Sequence, residues 1–266
     1  MPLKAYKNPE FLNSPEARIV RIIAEFLEPQ SRFKKLNIKD TIVFFGSARF
    51  TDRKTAQKKL NEFKKMDPKR VKDFAEKLRK AQIAFEMSKY YEDAVQLSKM
   101  LTEWSLSLPS ESRRFVICTG GGPGIMEAAN KGAKLAKGKS IGLNISIPTE
   151  QFVNEYVSEE LSFEFHYFFM RKFWLVYLAK ALVIFPGGFG TMDELMEVLT
   201  LIQTGKLSKK MAVVIYGSSY WNKVINFNAM LEYGCIDKKD LGIFKVIDTP
   251  QEAFEYLKKF LVENYL

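Results

Sequence analysis

Short apolar runs alternate along the chain with amphipathic stretches, which is the pattern of a parallel β-sheet wound with helices. Five runs are rich in Val, Ile or Phe, and four of them are followed at once by Gly or Pro. The predicted strands are Thr41–Phe45, Phe115–Thr119, Ser140–Ile145, Ala181–Phe185 and Met211–Tyr216. Open α/β sheets bind ligands at the carboxyl ends of their strands, so we expect a site in the turns that follow these runs.

Helical periodicity fills two of the segments between the strands. Gly124–Leu135 has a packed face of Ile, Met, Ala and Leu. Met192–Thr204 has apolar residues near i, i+3, i+4 and i+7, and Gly205 stands where a helix commonly ends. The pattern therefore predicts a doubly wound sheet with helices on both faces.

Two further segments are predicted to be helical additions to this core. Residues 1–40 form an N-terminal helical extension, in which Pro29 is expected to break the helix. Residues 50–112 form a long helical insertion after the first strand. The predicted organisation is thus the extension followed by one nucleotide-binding catalytic domain, residues 41–266.

Charge and composition narrow the classes of function. The chain has a formal net charge of +10, and many of its basic residues lie between Arg53 and Lys89 among acidic ones. A solvated helical face is favoured there over a nucleic-acid surface, because no zinc-finger spacing, RRM signature or GXXG clamp accompanies the charge. A single histidine, His166, argues against a metal site, and we expect Cys118 and Cys235 to be buried free thiols.

No targeting or membrane segment is predicted. The first thirty residues contain no apolar run beside a cleavage-like site. The most apolar region, Phe173–Phe185, is interrupted by Lys180 and is too short to cross a bilayer. We therefore expect a cytoplasmic protein with no membrane partner.

The strongest chemical signal is the segment from Pro186 to Glu194, which reads PGGFGTMDE. A buried strand ends there, a glycine-rich turn follows and a helix begins. Backbone N–H groups without neighbouring β-carbons can approach phosphate oxygens closely, and a helix N-terminus adds partial positive charge. We predict that phosphate binds at Gly187, Gly188, Gly190 and Thr191.

A second glycine-rich loop, Gly120-Gly121-Gly122-Pro123-Gly124, also follows a strand and opens a helix. It lacks the Gly-Lys-Ser/Thr of a Walker A motif and the spacing of a dinucleotide fingerprint, so ATP-driven chemistry and dinucleotide binding are disfavoured. Gly120, Gly121 and Gly122 are therefore candidate nucleotide-binding residues.

Two smaller elements add candidate side chains. Ser47 and Arg49 follow the first strand and could hold phosphate or base, although a tight turn with a surface arginine gives the same sequence. Arg171 and Lys172 stand on a predicted helix, where spacing alone favours a surface position.

Together these motifs resemble the LONELY GUY (LOG) family, formerly labelled as lysine decarboxylases. The similarity runs from about Thr41 to Gly234, and it is closest to the longer bacterial members. The family pattern is a GGG-x-G-x-M loop, an Arg-Lys pair before a strand, and PGGxGTxxE. In this chain these motifs stand at residues 120–126, at 171–172 and at 186–194.

The resemblance implies a Rossmann-like fold and a phosphoribohydrolase that releases free base and ribose 5-phosphate from a nucleoside 5′-monophosphate. It also implies that Arg171 and Glu194 are the catalytic pair, that no cofactor is needed, and that the protein is a homodimer or larger homo-oligomer. AMP or a cytokinin riboside monophosphate is the expected substrate. As a hypothesis, Glu194 stabilises positive charge on the ribose and positions water, while Arg171 orients Glu194 or contacts phosphate or base.

The chain also departs from the family pattern. Short LOG enzymes carry a histidine two residues before the arginine, where this chain has Phe169, and they lack both helical additions. Three alternatives stay open: a nucleotide sensor without catalysis, a lysine decarboxylase that would need pyridoxal phosphate and a Schiff-base lysine, and a nucleic-acid-binding module.

Overall fold

The computed structural model describes residues 2–147 and 152–266. These residues build one seven-stranded sheet in which every pair of neighbouring strands is parallel. The strands are β1 (Thr41–Phe45), β2 (Val116–Thr119), β3 (Ser140–Ile145), β4 (Ser162–Phe165), β5 (Ala179–Ile184), β6 (Ala212–Tyr216) and β7 (Phe244–Ile247). Their order across the sheet is β4-β3-β2-β1-β5-β6-β7, which confirms the predicted doubly wound, Rossmann-like α/β fold.

Helices cover both faces of this sheet, as predicted. In the described part of the chain they are α1 (Pro9–Asn13), α2 (Arg18–Lys35), α3 (Arg53–Lys65), α4 (Phe74–Leu106), α5 (Ile125–Leu135), α6 (Phe168–Tyr177), α7 (Phe189–Gln203), α8 (Ser218–Val224), α9 (Phe227–Glu232) and α10 (Pro250–Tyr265). One buried apolar cluster joins α2, α6 and α7 to the sheet, and a second joins α4, α5 and α10 to the opposite face. Both clusters contribute to the hydrophobic stabilisation of the fold.

The sequence pattern missed two strands, β4 and β7, because both lie at the edges of the sheet. In β4, buried Phe163 and Phe165 alternate with less buried residues, and in β7 only Ile247 is buried. The five predicted strands are interior ones that are buried on both faces and read as continuous apolar runs. In each of the two edge strands half of the residues or fewer are buried, so no continuous buried run marks the strand.

The predicted break at Pro29 is wrong, since α2 continues through it as a single helix. Proline cannot donate the backbone hydrogen bond to the carbonyl four residues earlier, here that of Glu25. The indole Nε1 of Trp174 donates to this carbonyl at 3.0 Å instead. Trp174 of α6 thereby replaces the hydrogen bond that the proline cannot donate.

The prediction of two buried cysteines is half wrong. Cys118 lies buried in β2, but Cys235 is exposed. Its backbone N–H bonds the carbonyl of Met230 in the turn that ends α9, so the thiol stands on a surface turn and not in the core. Among the described residues no helix has both the length and the apolar character that a membrane crossing needs.

Candidate functional site

The direction of chain winding reverses between β1 and β5. Strands β2, β3 and β4 extend to one side of β1, whereas β5, β6 and β7 extend to the other. Open α/β sheets have a crevice at such a reversal, at the carboxyl ends of the strands. Three of the predicted elements lie there, at the ends of β1, β2 and β5: residues 46–49, 120–124 and 186–191.

The loop after β5 leads directly into α7. Gly188 is the N-cap of the helix, and Gly190 and Thr191 already belong to its first turn. An ideal β-carbon on Gly187 would come within 2.6 Å of Thr191 Cβ, so the protein's own packing requires that glycine. Ideal β-carbons on Gly188 and Gly190 would meet no atom of the described part of the chain within 4 Å.

The open helix N-terminus is therefore accessible to an anion. The first N–H groups of a helix have no partner within it and carry partial positive charge. Tyr220 stabilises the loop, because its hydroxyl donates to the carbonyl of Gly187 at 2.6 Å. Sequence reasoning missed Tyr220, which lies in α8 and has no motif of its own.

Glu194 lies one helical turn after Thr191, on the same buried face of α7. It is 4% exposed, and Arg171 Nη2 stands 3.8 Å from its Oε1. Its Oε2 accepts no hydrogen bond from residues 2–147 or 152–266. A buried carboxylate oxygen with an unused acceptor position is suited to a hydroxyl or water of a ligand.

Burial also changes the protonation of this carboxyl. Loss of solvation raises the pKa of Glu194 to about 7, although the positive charges of Arg171 and Lys172 act in the opposite direction. Glu197 and Asp193 contribute further to the rise. The group therefore changes charge near neutral pH, as is common for residues that act on substrates.

Arg171 connects the two glycine loops. It projects from α6, and an ideal β-carbon on Gly120 would lie 3.7 Å from its Nη1. The guanidinium is thus beside the second glycine loop and beside Glu194 at the same time. Gly120, Arg171 and Glu194 are separated in sequence, and the fold places Arg171 next to both of the other residues.

The second glycine loop is held rigidly by its neighbours. Gly121 (φ +75°) bonds through its N–H to Thr119 Oγ1 at 2.9 Å. Asn154 donates from Nδ2 to the carbonyls of Gly121 and Gly122, at 2.9 and 3.0 Å. Asn154 was not predicted, because a lone asparagine in a segment without periodicity gives no signal.

The remaining predicted residues differ in their surroundings. Ser47 links two loops through its backbone, since its N–H donates to Pro186 and its carbonyl accepts from Ile125. The side chain of Arg49 is at the exposed surface beside it.

Lys172 points along α7. Its Nζ lies 2.9 Å from Asp193 and 2.8 Å from Glu197. Burial lowers the pKa of Lys172, but these two carboxylates outweigh it and raise the pKa to about 12. In the described structure this lysine joins α6 to α7.

Parts of the chain are similar to known proteins. The family model described as "Possible lysine decarboxylase" matches residues 126–257. "Probable cytokinin riboside 5′-monophosphate phosphoribohydrolase LOGL2" of Oryza sativa subsp. japonica is 30% identical over 91 residues, which are 34% of this chain and 37% of that protein. The family-model match and the rice relatives together support a LOG-family protein.

A second rice relative, "Probable cytokinin riboside 5′-monophosphate phosphoribohydrolase LOG4", is 31% identical over 87 residues, 33% of this chain and 38% of the relative. The alignments thus span less than two fifths of these LOG proteins. Among solved structures, the molybdenum cofactor binding protein of Rippkaea orientalis superposes with a TM-score of 0.49 and 16% identity, over 84% of this chain and 98% of that one.

Proposed function

We propose that this LOG-family protein is a nucleoside 5′-monophosphate phosphoribohydrolase. Water adds to C1′ of the ribose, the N-glycosidic bond breaks, and the base leaves with the proton that the water gives up. The products are free base and ribose 5-phosphate. The observation that carries the proposal is a buried Glu194 with an unused acceptor, beside Arg171 and one helical turn from an open helix N-terminus.

The geometry supports two roles for α7, phosphate binding at its first turn and contact with the ribose at Glu194. Gly188, Gly190 and Thr191 would hold the phosphate at the start of the helix, with Gly187 shaping the turn. The ribose attached to that phosphate would then reach Glu194 one turn further on. Breaking the glycosidic bond builds positive charge on the ribose, which an ionised carboxylate stabilises, as it does in other glycoside hydrolyses.

Arg171 would keep Glu194 in its ionised, catalytically useful form and contact the leaving side of the nucleotide. Opposite charge nearby favours the carboxylate over the carboxylic acid. Binding energy from the distant phosphate would position the reacting ribose. The names of the rice relatives support an adenine nucleotide, so AMP or a cytokinin riboside monophosphate is the proposed substrate.

We further propose that the protein forms a homodimer or larger homo-oligomer. The surface of α2 and α6 presents large apolar side chains that are each more than a third exposed, which is typical of an interaction site. They are Ile19, Val20, Ile23, Phe26, Leu27, Phe168, Phe169, Phe173 and Tyr177. Light scattering should give at least twice the chain mass of 30.7 kDa, and a monomer mass would contradict this.

The test of the proposed reaction is base release from AMP, GMP, CMP, UMP, IMP and N6-isopentenyl-AMP, followed by liquid chromatography. Glu194→Gln should lower turnover by about 100-fold or more, in the range of a lost acid–base group. Asp193→Asn is the matched control, because this neighbouring carboxylate is largely exposed and pairs with Lys172. It should keep near-wild-type turnover.

Three results would contradict the proposal in different ways. Equal turnover in wild type and Glu194→Gln removes that residue from the mechanism. Release of nucleoside and inorganic phosphate instead of base identifies a phosphatase. Binding of a nucleotide without any product favours a sensor.

A further inference from the structure

The helix that carries Arg171 is anchored at both ends by charged side chains from distant parts of the chain. This helix, α6, is only ten residues long. Short helices leave a large share of their N–H and C=O groups without partners inside the helix. Glu25 of α2 contacts the first end, and Lys209, just before β6, contacts the second.

At the N-terminal end the carboxylate of Glu25 bonds two successive backbone N–H groups. Its Oε1 accepts from His166 at 2.8 Å and its Oε2 accepts from Tyr167 at 3.2 Å. Tyr167 is the N-cap of α6, and its own side chain makes no capping hydrogen bond. Glu25 therefore holds the backbone that leads into α6, at the N-cap residue and the residue before it, from a position more than 140 residues away in sequence.

The main chain of the same residue holds a face of α6. The carbonyl of Glu25, left free by Pro29, accepts from Trp174 Nε1. The ring of Phe26 packs against those of Phe173 and Trp174, at 5.5 and 5.9 Å between centroids. Glu25 thus contacts α6 at its start and again two turns later, which fixes both the position of the helix along its axis and its rotation.

At the C-terminal end Lys209 has the opposite role. Its Nζ donates to the last carbonyls of α6, those of Val176 and Tyr177, at 2.6 Å each. A carboxylate at the N-terminus and an ammonium at the C-terminus both match the helix dipole. Burial lowers the pKa of Lys209 to about 7, so its charge favours the helix below that pH, while its N–H groups can donate to the two carbonyls in either form.

We propose that Glu25 and Lys209 are positioning residues that hold α6 in register and so keep the Arg171 guanidinium against Glu194. Arg171 lies one turn after Tyr167, and its backbone N–H bonds the Tyr167 carbonyl. Its guanidinium is 3.8 Å from Glu194, so a small movement of α6 changes this separation. The inference rests on the proposed function, because it concerns how that reaction is arranged.

The central variant is Glu25→Gln, which keeps the size of the side chain and loses one acceptor and the charge. We expect kcat for base release to fall about tenfold, since small misplacement of a reacting group is costly. We expect KM to change less than about twofold, because the phosphate loop does not contact Glu25. Glu28→Gln, one turn further along α2, is the matched control: among residues 2–147 and 152–266, Glu28 pairs with Arg32 alone, and it is exposed.

A double mutant separates positioning from general stability. If Glu25 acts through Arg171, adding Glu25→Gln to Arg171→Ala should lower kcat no further. Lys209→Gln should behave like Glu25→Gln, with the neighbouring Lys210→Gln as its control. An equal tenfold loss in the Arg171→Ala background would overturn the proposal, as would an unchanged kcat in Glu25→Gln.

A readout that needs no activity tests the same proposal. Hydrogen exchange of the peptide spanning residues 166–177 should be faster in Glu25→Gln than in wild type, and unchanged in Glu28→Gln. Unchanged exchange in Glu25→Gln would overturn the anchoring. If wild type releases no base at all, the proposed reaction fails, and the exchange result still decides whether Glu25 holds α6.

Discussion

In the loop at residues 120–124 the folded protein itself requires glycine at positions 121 and 124, whereas in the loop at residues 186–191 two of the three glycines face open space within the described structure. Gly124 has φ +72°, and an ideal β-carbon there would lie 2.8 Å from Ala48 Cα. Gly188 and Gly190 do not have positive φ, and no atom of the described residues lies within 4 Å of such a carbon. The two loops are both rich in glycine, but packing explains the glycine at 124 and does not explain those at 188 and 190.

The difference bears on which loop is the better candidate for the proposed phosphate site. Where packing explains a glycine, no ligand is needed to account for it. Where packing does not, close approach of another molecule to the backbone is one physical reason for the absence of a side chain. This comparison favours the loop at 186–191 as the proposed phosphate site, with the loop at 120–124 as a packed neighbour of Arg171.

The largest expected effect is the loss of stability when the loop at residues 120–124 is altered. Gly124→Ala forces a side chain into a left-handed backbone conformation and against the main chain at Ala48. Strain and overpacking together should cost about 3 kcal/mol or more of the free energy of unfolding. Urea denaturation measures this loss, and a variant as stable as wild type would remove the distinction between the loops.

The next effect is smaller and depends on pH. Because the pKa of Glu194 is raised to about 7, the folded state holds an extra proton between pH 4.5 and 7. Stability is therefore lost progressively as the pH rises from about 4.5 to about 7 and stays lower above that pH, a loss that Glu194→Gln avoids. The variant should match wild type at pH 4 and exceed it at pH 8 by on the order of 3 kcal/mol.

Thermal unfolding at the two pH values measures this difference. Lys172→Met at the same pH values is a useful contrast, since it removes a positive charge that lowers the pKa of Glu194 and should enlarge the pH dependence. A Glu194→Gln variant with the same advantage at pH 4 and pH 8 would contradict the assigned protonation.

The smallest effect is the sharpest test of the comparison. Gly190→Ala places a methyl group in open space within the first turn of α7, so stability should stay equal or rise by up to about 1 kcal/mol. The methyl group would hinder a phosphate, and losing one charged hydrogen bond corresponds to about tenfold weaker binding. Calorimetry with AMP should show this weakening, and unchanged affinity would place the phosphate elsewhere.

Much of the fold was predictable because its interior strands are buried on both faces. β1 and β3 have the predicted bounds, and the helix after each glycine loop begins within a few residues of its predicted start. The edge strands were not predictable from apolar runs, because solvent meets one face of each. Pairing of Arg171 with Glu194 was suggested by the family motifs and not by periodicity.

The supports of the site could not be predicted. Glu25, Asn154 and Tyr220 act through backbone groups that are distant in sequence, and such contacts leave no local pattern of residue types. At Pro29 the local sequence predicts the wrong structure, again because the decisive contact is distant in sequence. Its local effect is to break a helix, and only the three-dimensional structure reveals that Trp174 replaces the missing hydrogen bond.

The most direct test of the account is a crystal structure of Glu194→Gln with AMP bound. We expect phosphate oxygens about 3 Å from the backbone nitrogens of Gly188, Gly190 or Thr191, with C1′ of the ribose facing residue 194. A phosphate bound instead at the loop of residues 120–124, with the α7 N-terminus empty, would contradict the central claim.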